Sequence, residues 1–193
     1  MAELVVEFST AAPAAWIDRW IVDRSKMICR LAHSPFSHGD YVLDDGNLLG
    51  ASDNPGAPHV SGNPRGVAIR PPDYQAFALR RRAVIKTTDD HKRRYESFLR
   101  TQLGKPFDGE AVSLTTFLSA DFTDRDWRDS ARWYCHELLV HGYEVAGILG
   151  WKLINVKNRV TAADHLLIIN PMIDPDKFWT EHLALPMKGP HAG

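Results

Sequence analysis

The chain has 193 residues, 44% hydrophobic and 24% charged, with a formal net charge of −1 and a pI near 6.7. That length and balance suit one globular domain, and the charge calls for neither a nucleic-acid partner nor an acidic membrane surface. Two cysteines, Cys29 and Cys135, cannot make a disulfide framework, so apolar burial has to hold the fold together.

The amino terminus lacks the basic start of a secretory signal, and Glu3 and Glu7 interrupt the first apolar stretch. No apolar run reaches the roughly 18 residues of a membrane helix. The expectation is synthesis in the cytoplasm, with no integral membrane segment.

Leu4 to Phe8 is a short β-branched run and reads as a strand. Ala14 to Leu31 carries Trp16, Ile17, Trp20, Ile21, Met27, Ile28 and Leu31 at helical spacing. His33-Ser34-Pro35 ends that helix. His38 to Leu43 predicts a strand, Asp44 to Asn47 a hairpin turn, and Leu48 to Ser52 the return strand.

Residues 53–66 are rich in proline and glycine and read as an exposed loop that could cover a site. Gly66 to Arg70 and Ala83 to Thr87 predict two more strands, and a helix capped by Thr88 runs from Asp89 to Leu103. Residues 111–122 are apolar but irregular. A second helix spans Trp133 to Ala146, with Gly147 as its stop, and Ile148 to Val156 reads as a strand. The tail, 171–193, gives no clear pattern. The class is α+β, an antiparallel sheet with helices packed apart from it.

Two segments carry chemistry. Ser37-His38-Gly39-Asp40-Tyr41 places an imidazole at the start of a strand, and Trp133-Tyr134-Cys135-His136-Glu137 places a thiol in the first turn of a helix. A helix start favours thiolate, and its backbone N–H groups can hold an oxyanion. By itself the pair is weak evidence, since most buried cysteines are small apolar residues. Cys29, on an apolar helix face, has that inert reading.

The order of motifs adds to this. Ser37-His38, a hairpin ending Gly50-Ala51-Ser52, then Gly66-Val67, a helix, Gly104-Lys105-Pro106-Phe107-Asp108, and Trp133-Tyr134-Cys135-x-Glu137-Leu138 follow one another. That order resembles the circularly permuted NlpC/P60 proteins, papain-like amidases and peptidases of the YiiX and YaeF type, many from phages. The resemblance covers about residues 28–165. It implies a single permuted papain-like domain, an antiparallel sheet or small barrel packed against helices.

The resemblance further implies Cys135 as nucleophile and His38 as general base, with Trp133 and Tyr134 as the aromatic pair around the nucleophile and Glu137 as a structural acid. The substrate class would be a peptide, peptidoglycan stem peptide or other acyl compound, with no cofactor and no metal. Relatives often carry a polar residue on the return strand to orient the histidine, but Gly50 stands there. Asp40, two residues beyond His38 in a strand and so on its face, is the substitute, with Asn47 behind it.

His136 and His141 do not share a helix face with Cys135 in a way that suits metal. Arg80-Arg81-Arg82 reads as a solvated, salt-bridged face. Three functions stay open: an amidase or peptidase, a lipid-directed acyltransferase like lecithin:retinol acyltransferase, and a non-catalytic interaction module of phage or host.

Overall fold

The computed structural model describes residues 1–12, 34–109, 131–149 and 160–177, and the backbone of 179–181. The expected helix Ala14–Leu31 with Cys29, the stretch 111–122, most of Ile148–Val156 and the last dozen residues lie outside the described residues.

The strands are β1 (Ala2–Ala11), β2 (His38–Val42), β3 (Leu48–Ala51), β4 (Ser61–Gly62), β5 (Val67–Arg70), β6 (Phe77–Thr87) and β7 (Trp179–Glu181). They form one antiparallel sheet in the order β4-β5-β3-β2-β1-β6-β7. Among the described residues the order is linear, with β4 and β7 at the edges. Of the two expected forms, an antiparallel sheet or a small barrel, the described residues form the open sheet.

The helices are α1 (Asp89–Thr101), α2 (Cys135–Ala146) and α3 (Ala162–Ile169), followed by short 3-10 turns at Asn170–Met172 and Pro175–Lys177. No helix among the described residues is long and apolar enough to cross a membrane.

β1 is longer than LVVEF alone suggests because both of its edges are paired, to β2 on one side and along ten residues to β6 on the other. Its alternation sorts the sheet into two faces. Leu4, Val6 and Phe8 are fully buried in the main core with Tyr41, Ile85, Tyr95, Leu138, Leu139 and Tyr143. Burial of each such side chain stabilises the fold by about 1.5–3 kcal/mol. On the other face, Leu48, Ala57, Tyr74 and Phe77 form a second, smaller cluster.

β6 starts at Phe77, six residues before the expected Ala83. The arginines are therefore strand residues. Glu7, opposite Arg82 in register, is 1% exposed and accepts from Arg80 Nε and Arg82 Nε, both at 2.8 Å. The expected solvated face is thus a half-buried ion cluster, which satisfies the buried carboxylate twice over. The expected loop 53–66 likewise holds the edge strand β4, and Asn54 and Ala57 within it are buried.

Two glycines set the helix positions. A Cβ on Gly39 would come within 2.9 Å of the His136 ring, and one on Gly142 within 2.7 Å of the Tyr95 ring. Bare backbone at these places lets α2 close onto β2 and onto α1. α3 was not anticipated by periodicity, being only two turns long. It starts on a reciprocal cap in which Thr161 Oγ1 accepts from the Asp164 N–H and Asp164 Oδ2 from the Thr161 N–H.

Candidate active site

α2 begins at Cys135, two residues later than expected, so Trp133 and Tyr134 precede the helix and Cys135 occupies its first position. Tyr134 is the N-cap, with extended backbone and no side-chain cap bond. Its hydroxyl instead accepts the Val160 N–H at 2.7 Å, tying the start of α2 to the chain just ahead of α3.

Trp133 Nε1 donates to Gln102 Oε1 at 3.0 Å, and the Trp133 backbone forms a parallel bridge with Phe107. The segment Lys105–Asp108 is thereby the clamp that seats the helix start: Trp133 N–H donates to Pro106 O, and Asp108 N–H to Trp133 O. The two aromatic side chains hold the backbone of the helix start. Any oxyanion held there would meet first-turn N–H groups.

Cys135 is 6% exposed and is a free thiol. Across from it, His38 opens β2 with its side chain 14% exposed. Its Nε2 hydrogen-bonds Asp40 Oδ2 at 2.9 Å, the same-face contact that period-two spacing predicts. The Cys135 sulfur also acts on the ring, favouring its protonated form.

Burial opposes a charge on His38. The Asp40 carboxylate and the Cys135 sulfur, together with hydrogen bonds to both, outweigh burial and raise the imidazole to about 10. Asp40 is 2% exposed; burial pushes its carboxyl up, but His38, Arg70 and the Tyr74 hydroxyl hold it below the ordinary carboxylate value.

Cys135, His38 and Asp40 are therefore brought together. Asn47 is not: its amide donates to Asp45 in the hairpin turn. Gly50 lies beside Asp40, and its lack of a side chain has a steric reason, since a Cβ there would stand 2.0 Å from Asp40 Oδ1.

Several residues at or beneath the site escaped the sequence reading. Tyr74 donates to Asp40 Oδ2 at 3.2 Å from a turn after Pro71-Pro72, where no periodicity points to it. His136 Nδ1 bonds His165 Nδ1 at 3.1 Å, and His165 Nε2 bonds the Tyr143 hydroxyl at 2.9 Å, with both histidine rings buried against Phe8. The Thr161-x-x-Asp164 cap was the available signal for His165. His141, by contrast, stacks on the Trp133 ring and meets the Phe98 ring edge-on.

Compared with known protein families, the chain matches no family model. No curated protein matches it either.

Proposed function

We propose that this protein is a cysteine-dependent hydrolase that cleaves an amide or peptide bond through an acyl-enzyme, on a permuted papain-like arrangement of the NlpC/P60 kind. The observation that carries the reading is that Asp40 holds His38 Nε2 at 2.9 Å while the Cys135 sulfur, at a helix start, raises the same ring.

In the first step the Cys135 sulfur attacks the substrate carbonyl, forming the C–S bond, while first-turn N–H groups of α2 receive the oxyanion. The His38 imidazolium gives its proton to the leaving nitrogen as the C–N bond breaks. In the second step neutral His38 takes a proton from water, whose oxygen attacks the thioester. The carboxylic acid leaves, and sulfur and imidazolium are restored. Asp40 keeps its bond to Nε2 throughout.

The buried carboxylate favours this reading over a purely interacting module. Taking a carboxylate to 2% exposure costs several kcal/mol before compensation. Glu7 offsets the same kind of cost with two arginines, whereas Asp40 offsets it by holding a histidine ring. Peptide and peptidoglycan stem-peptide amides are the substrates to try, with release of a new amine as the readout. Turnover by wild type that vanishes in Cys135→Ala and in His38→Ala supports the reading; equal turnover by Cys135→Ala sinks it.

A further inference from the structure

Asp40 has a second attendant beside His38. Tyr74 sits in the link between β5 and β6, its N–H donating to Pro71 O at 3.2 Å. It is 4% exposed and packs with Leu48, Ala57 and Phe77. Its ring meets the His38 ring edge-on at 6.5 Å, and the Arg70 guanidinium lies 5.5 Å from its centroid. The hydroxyl donates to Asp40 Oδ2, the same oxygen that accepts from His38.

Arg70 is fully buried and directs its N–H groups to the carbonyls of Gly50, Gly66, Pro64 and Ala68. It acts on Asp40 as a fixed positive charge. The other groups beside Asp40 are His38 on its own strand, on which Cys135 from α2 also acts, and Glu7, its register partner on β1, which Arg80 and Arg82 already hold. Among these, Tyr74 alone shares Oδ2 with His38.

We infer that Tyr74 is a positioning residue of the proposed active site, whose hydroxyl draws charge from Asp40 Oδ2 and so limits how tightly Asp40 grips the His38 N–H. The inference rests on the reading of Cys135 and His38 as the reacting pair. An oxygen with two donors is a weaker acceptor for each than an oxygen with one. A histidine that must give its proton to a leaving group in one step and take one from water in the next works best with moderate basicity. Tyr74 keeps the raised imidazole from rising further.

The test is Tyr74→Phe, which keeps the ring and deletes the hydroxyl. On the purified full chain, two quantities are read: the pH profile of Cys135 alkylation by iodoacetamide, located by mass spectrometry, and the proton resonance of the His38–Asp40 N–H, assigned by its loss in His38→Ala. With its second donor gone, Asp40 becomes more basic and holds the His38 proton more firmly. The step in the alkylation profile set by loss of the His38 proton moves to higher pH by about one unit, and the resonance moves downfield.

A resonance unchanged from wild type overturns the inference. Slow alkylation in wild type that His38→Ala leaves unaltered would instead remove the reading of the site. The resonance tests Tyr74 independently, because it depends only on the His38–Asp40 bond.

Discussion

Gly50 and Asp40 occupy one another's space: the carboxylate oxygen Oδ1 of Asp40 lies 2.0 Å from where a Cβ of residue 50 would be. A strand position that could have supplied a polar side chain to the histidine supplies room instead. The orienting group comes from the histidine's own strand, two residues on.

Gly50→Ala therefore forces Asp40 to move. Because the carboxylate is buried between Gly50, Tyr74 and His38, the expected cost is about 1–3 kcal/mol of stability, as for other overpacked sites. Cys135 alkylation at neutral pH should fall about tenfold or more as His38 loses its fixed ring. Urea unfolding and labelling rates measured on one sample separate the two effects.

Asp40→Asn removes the largest influence raising His38. Its imidazolium, at about 10 in the wild type, should fall toward the ordinary 6.5, read by NMR titration of the ring. The stability consequence has a definite sign. A histidine whose folded value is raised contributes stability fully present below 6.5 and lost as pH climbs through about 10. Wild type should thus lose stability from pH 7 to 10, and the asparagine variant should lose less.

The histidine pair under the helix acts in the opposite sense. Burial holds His136 well below 6.5, His165 and His38 adding to it, and burial alone takes His165 down to about 3. Unfolded, both would take up protons as pH drops below 6.5, while the native pair stays neutral. Stability is therefore present above 6.5 and lost on acidification, by up to about 1.4 kcal/mol per pH unit for each histidine. Urea midpoints measured between pH 7 and pH 5 should fall, and those of His165→Leu should fall less steeply.

How much of this was legible in the sequence depended on the range of the interaction. His38 and Asp40 were legible because strand alternation puts residues two apart on one face. Gly147 and an apolar run marked the helix that Cys135 opens, but it was the order of motifs that singled out the thiol, and the aromatic pair before it forms a clamp ahead of the first turn. Thr88 and the Asp44–Asn47 turn were legible for the same local reasons.

What stayed hidden was set by distant pairing. Nothing in LVVEF says that β1 lies between β2 and β6, or that Glu7 will meet two arginines more than seventy residues away. Tyr74 and His165 reach the site region through a turn and a two-turn helix, elements too short to carry periodicity.

Glu7→Gln separates fold from chemistry. Arg80 and Arg82 would share one neutral amide in place of a carboxylate that is 1% exposed. Breaking a buried pair from one side costs about 3–5 kcal/mol. The melting temperature should drop clearly, while the pH profile of Cys135 alkylation in the folded protein keeps its shape.

The central claim is that His38 activates the Cys135 sulfur, and the most direct measurement is Cys135 alkylation by iodoacetamide at pH 6, followed by mass spectrometry so that Cys29 is counted separately. The account predicts rapid labelling in wild type and at least a tenfold slower rate in His38→Ala. A rate that matches an ordinary free thiol, and does not change when His38 is replaced, would contradict it.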